Sequence, residues 1–130
     1  MVHKTYLAGI PEEVETRLLA ALKDEGFGLL TRVALHQVLK EKRNVEMPAY
    51  VRLGVCHPAL AEEALKRHPD VGVVLPCALV VRDEGEGRVA VLYQDPAVAL
   101  AGATERPDPE LAGAVRERLE RAIGRLEGFA

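Results

Sequence analysis

Cys56 and Cys77 are the residues of this chain with the sharpest chemistry, and each sits beside a proline: Cys56-His57-Pro58 and Leu75-Pro76-Cys77. A thiol at the start of a helix lies where free backbone N–H groups and the helix dipole favour the thiolate, which makes it a nucleophile, a soft-metal ligand or half of a disulfide. If Pro58 opens a helix, Cys56 is in that place. Cys77 is then a resolving thiol or bridge partner if the two strands that carry the cysteines are neighbours. The competing reading makes both cysteines small apolar residues filling core space, which is the commoner fate of a free cysteine.

A metal reading would draw on Cys56, His57, Cys77 and His68, but their spacing lacks the close-set Cys-x-x-Cys or His-x-x-x-His pattern of zinc sites. No metal and no cofactor is therefore expected, and His57 and His68 are read as capping or surface residues. His3 and His36 are isolated and are placed at the surface. Asp95-Pro96 ends a strand, where aspartate accepts backbone N–H bonds in a turn; the other reading is a carboxylate in a ligand pocket. The candidate site is thus Cys56, His57, Pro58, Cys77 and Asp95.

These residues need elements to hold them. Residues 3–8 predict a first strand, and Pro11 opens a helix of about 11–25 with Val14, Leu18, Ala21 and Leu22 on its apolar stripe. Residues 27–33 predict a strand, 34–42 a short helix, and 50–56 a strand alternating Val51, Leu53 and Val55 against Arg52, Gly54 and Cys56. A helix runs from Pro58 to before Pro69. Val71 to Val81 is nearly all apolar and predicts one long strand, with Pro76 at an edge or a bulge. Residues 83–87 turn a hairpin into a strand over 88–94, and the segment to Pro107 has no clear period beyond one helical turn. Asp108 caps a last helix whose stripe is Leu111, Val115, Leu119, Ala122, Ile123 and Leu126. Gly26, Gly28 and Gly54 are read as giving backbone clearance.

This order, with its hairpin, predicts a single α+β domain: a mostly antiparallel sheet packed on one face by helices. A doubly wound parallel α/β arrangement is second, weakened by the hairpin and the missing Gly-rich phosphate loop. The chain has 130 residues, 48% of them hydrophobic, which suffices for one core. A net charge of −3, interleaved charges, two Phe, three Tyr and no Trp argue against nucleic acid as a partner. No segment reaches the ~20 apolar residues of a membrane helix and no secretory leader is visible, so a soluble, cytoplasmic protein with reduced thiols is expected. Few amides and Arg over Lys fit a thermostable protein.

The segments GFGLLTRV (26–33), LKEK (39–42), LGVCHPALAEEAL (53–65), VGVVLPCALVV (71–81) and Gln94-Asp95-Pro96 together resemble the domain of unknown function 302 family. The resemblance runs from about Thr5 to Leu126, and the ordered pair Cys-x-Pro and Leu-Pro-Cys is its most specific part. It implies a compact α+β domain similar in topology to the TATA-box-binding-protein fold. It supplies no activity, and no role for the His57 imidazole.

Two functions follow as expectations. One is a homodimeric domain that binds a small molecule or a protein partner around Cys56 and Cys77, motivated by the apolar 71–81 run, which needs cover. The other is a thiol-based redox protein or enzyme, with Cys56 as nucleophile and Cys77 as resolving thiol.

Overall fold

The computed structural model describes residues 2–127. Five strands form one antiparallel sheet in the order β1-β5-β4-β3-β2. These are β1 (Val2–Ala8), β2 (Gly28–Ala34), β3 (Tyr50–Cys56), β4 (Cys77–Gly85) and β5 (Arg88–Gln94). Between and after them lie α1 (Pro11–Asp24), α2 (Leu35–Arg43), α3 (Pro58–Arg67), α4 (Pro96–Ala101) and α5 (Pro109–Glu127). This is the α+β class that the strand and helix periods predict, and the parallel alternative is excluded by the pairing.

The alternation along each strand decides what the sheet buries. Val51, Leu53 and Val55 of β3, Leu79 and Val81 of β4, and Val89, Val91 and Tyr93 of β5 share the inner face. Onto it pack α1 through Val14, Leu18, Ala21 and Leu22, and α5 through Leu119, Ala122, Ile123 and Leu126. The 3.6-residue stripe and the two-residue alternation thus meet in one core. Charge follows the same division: Arg32 on β2 forks onto Glu15 of α1 at 2.5 and 3.1 Å, and Arg121 and Arg125 of α5 hold Glu25 after α1. The β4–β5 hairpin turns through Glu86 and Gly87, both at positive φ, as tight two-residue turns require.

The largest correction concerns Val71 to Val81. It is not one strand: Pro69–Val74 forms a 3-10 turn, a cis Leu75–Pro76 bond follows, and β4 begins at Cys77. An apolar run satisfies a buried helical turn as well as a buried strand, and here Val71 closes a second, smaller cluster with Ala64 and Leu111. Pro76 is accordingly neither at an edge nor in a bulge. It precedes β4, an interior strand, at a position from which no ladder N–H is asked. The sheet's irregularities fall instead between Leu29 and Thr31 and between Asp83 and Gly85. Residues 96–101 form a helix within the segment that lacks sequence periodicity, started by the Asp95 carboxylate accepting the Ala97 N–H at 2.9 Å. No helix among the described residues is long and apolar enough to cross a membrane.

Candidate functional site

Where β3 ends and β4 begins, the helices do not close fully onto the sheet. A cavity of about 290 Å³ lies there, between the main core and the smaller cluster. Its walls include Phe27, Leu79, Tyr93 and Leu119 from the main core side. The 3-10 turn, α3, α4 and α5 contribute Val74, Ala61, Leu100 and Leu111.

Cys56, His57 and Cys77 all border this cavity, whereas Pro58 and Asp95 do not. Pro58 occupies the first turn of α3, where its missing N–H costs nothing. His57 is the residue before it and caps the helix: its Nδ1 accepts the Leu60 N–H at 3.3 Å. In the neutral ring the proton therefore sits on Nε2, which remains a donor. The ring meets Phe27 edge-on at 5.5 Å, and Gly26 is required beside it. Gly26 has φ +92, and a Cβ there would stand 2.6 Å from His57 Nε2.

The two cysteines are brought to one cavity from alternate positions of the register. Val55 lies opposite Cys77 in the β3–β4 register, so Cys77 belongs to the inner set and packs against the main core. Cys56, one residue further along β3, belongs to the alternate set with Arg52. Side chains at alternate positions of neighbouring strands are poorly aimed for a disulfide. Burial, and next the neighbouring Cys56, pushes the Cys77 thiol upward, away from the thiolate. Both cysteines are free thiols.

Asp95 belongs to a separate cluster. Its carboxylate takes His3 Nε2 at 3.0 Å, Arg116 Nη2 at 2.9 Å and the Ala97 N–H, and these bonds hold it far below the usual carboxylate range. His3 is thus not a lone surface residue, since it also stacks on Tyr93 at 4.9 Å. His68 Nε2 bonds Asp108 at 2.8 Å, and Asp108 caps α5 through the Leu111 N–H. Among the described residues no three His, Cys, Asp or Glu side chains are grouped to hold a metal ion. Neither Phe27 nor Tyr93 carries a sequence signal for the cavity, because their convergence depends on non-local pairing.

Burial, and secondarily the Arg118 guanidinium, holds the His57 imidazole below its ordinary value of 6.5. A histidine depressed in the folded state binds its proton more readily when unfolded. Stability should therefore fall as pH drops through the ordinary histidine range. Urea unfolding at about pH 7.5 and about pH 5 is expected to show this loss in the native protein and a smaller one in His57→Asn, whose amide can still cap α3. Equal losses in the two proteins would remove His57 from the pH response.

Comparison with known proteins is consistent with this architecture. The model of the family described as "Domain of unknown function DUF302" matches residues 3–126. A solved structure, an uncharacterized conserved DUF302 protein from Bacillus stearothermophilus, is 29% identical and superposes with a TM-score of 0.80, covering 96% of this chain and 94% of its own. No curated protein matches the chain. The chain belongs to the DUF302 family.

Proposed function

We propose that this is a binding domain for a small, uncharged and largely apolar molecule, seated in the cavity at the β3–β4 end, and that it works as a homodimer. The cavity itself carries the reading. Its lining is mostly aliphatic and aromatic, and the polar side chains at it are few: His57, Tyr93, Gln94, the two cysteines and Arg52. Arg52 is exposed on the alternate set of β3, which leaves no buried charge to compensate an ionic ligand, and an uncompensated ion would pay a large desolvation penalty. The His57 N–H suits one acceptor atom on the occupant, the usual division of labour in pockets of this kind.

The thiol-based redox reading draws less support. Cys56 and Cys77 occupy alternate positions in the β3–β4 register, and the Cys77 thiol is shifted away from the reactive form.

The neutral dye N-phenyl-1-naphthylamine tests the cavity. The native protein is expected to bind it with a dissociation constant of ~10 μM and enhanced fluorescence. Ala61→Trp, which fills the lining from α3, should abolish binding while cooperative unfolding is retained. Absence of binding to the native protein, or equal binding by the variant, would defeat the proposal.

A further inference from the structure

We infer that His57 makes this cavity proton-sensitive: the domain holds its apolar occupant while the imidazole is neutral and releases it when the imidazole takes up a proton. This rests on the cavity half of the proposed function and adds its regulation.

The imidazole belongs to two structures at once. It borders the cavity, and it caps α3, the helix that supplies Leu60, Ala61 and Ala64 to the same wall. The Leu60 N–H reaches Nδ1 at 3.3 Å, a bond that only an unprotonated nitrogen accepts. Proton uptake turns Nδ1 into a donor, so two N–H groups then face each other and the first turn of α3 loses its side-chain cap. The ring has little room to turn away. Its Nε2 side lies so close to Gly26 that a Cβ there would stand 2.6 Å from it, and Phe27 meets the ring edge-on at 5.5 Å. Relief therefore comes from α3, whose Leu60 carries the capped N–H and also lines the cavity.

Solvation acts in the same direction. A cavity of about 290 Å³ has room for water beside a half-buried imidazolium, whereas an apolar occupant takes that water away and leaves the charge poorly solvated. The surroundings do not compensate for it. Burial first, and then the Arg118 cation of α5, oppose protonation. The carboxylate of Glu25, after α1, is already held by Arg121 and Arg125. Around the cavity β3 presents Arg52 and the Cys56 thiol, β4 presents Cys77 and β5 presents Tyr93. Burial pushes Cys77 and Tyr93 upward, so both stay neutral where histidine titrates. His3, His36 and His68 lie outside the lining. Proton and occupant thus compete through His57, and by linkage a bound occupant lowers the titration midpoint of that ring as much as a proton weakens binding.

The coupling is tested with N-phenyl-1-naphthylamine, which is uncharged throughout, at about pH 7.5 and at the lowest pH near about 5 where circular dichroism shows the native fold. The native protein is expected to bind the dye about 5-fold or more weakly at the lower pH. His57→Asn, whose amide oxygen can cap α3 without titrating, should lose that pH dependence whatever its affinity. Proton NMR of the native imidazoles gives a second reading that needs no variant. The His57 signal, identified by its contact with the Phe27 ring, should titrate below 6.5 and move lower still when the dye is bound. Equal weakening in both proteins, native affinity unchanged by pH, or a His57 midpoint unmoved by the dye would overturn this inference alone. Absence of dye binding at both pH values would overturn the cavity reading and this inference with it.

Discussion

Gly54→Ala is expected to destabilise the domain by about 2–3 kcal/mol, the range for forcing extra volume into a packed site. Gly54 lies in the middle of the sheet, opposite Thr31 on β2 and Ala78 on β4. A Cβ on it would stand 2.1 Å from Thr31 Oγ1 and 2.7 Å from Pro76 Cγ. The threonine can rotate away, but the proline ring has no such freedom. Thr31→Ala combined with Gly54→Ala should therefore recover part of the loss and not all of it, and the two changes should be non-additive. Gly28→Ala supplies the contrast, since a Cβ there meets nothing within 4 Å, and its effect should stay within about 0.5 kcal/mol. Urea unfolding of the native protein, Gly54→Ala, Thr31→Ala, their double variant and Gly28→Ala decides the matter. A Gly54→Ala protein as stable as the native one would mean that Pro76 does not press on β3 as described. Because Pro76 also borders the cavity, the same variant should weaken dye binding.

In the folded protein Cys77 is expected to react with iodoacetamide at least ~100-fold more slowly than in the urea-unfolded chain at neutral pH. Two causes act together: the sulfur packs against the main core, and burial raises its pKa so that less thiolate is present. Modification should then follow opening of the domain, so variants that lower stability, Gly54→Ala among them, should speed Cys77 labelling in proportion to the lost stability. Mild oxidation of the folded protein should leave both cysteines titratable, because they occupy alternate positions of the β3–β4 register. Mass spectrometry after alkylation reads both results. Fast labelling of Cys77, or a Cys56–Cys77 bridge formed without unfolding, would return the redox reading to first place.

The features that survived from sequence to structure are those decided within a few residues. Pro11, Pro58 and Pro109 open helices because a first-turn residue needs no N–H donor. Asp95 and Asp108 cap because a short carboxylate reaches the free N–H groups just ahead of it. Val51, Leu53 and Val55 face the core because alternation leaves them no other common side. The glycine reading held in part, but through distant neighbours: Gly26 clears His57 and Gly54 clears Thr31 and Pro76, whereas nothing approaches Gly28.

The residues that the sequence singles out are parted by the structure. Cys56, His57 and Cys77 border one cavity, while Asp95 belongs to the His3–Arg116 cluster and Pro58 only starts a helix. Neighbours far away in the chain decided the cavity and the Asp95 cluster, whereas the place of Pro58 is local.

Sequence by itself thus determined the family, the α+β class, the helix starts and the inward set of each strand, since those rest on local sterics, caps and periodicity. Tertiary structure alone decided that Val71–Val74 turns instead of extending, and that Cys56 and Cys77 border one cavity from alternate positions of the β3–β4 register. It also decided that Phe27, Tyr93 and Leu111 enclose one space, and that β2 is left at an open edge. Strand order, register and the packing of one cluster against another are relations between distant segments, and no periodicity within a segment encodes which partner it will meet.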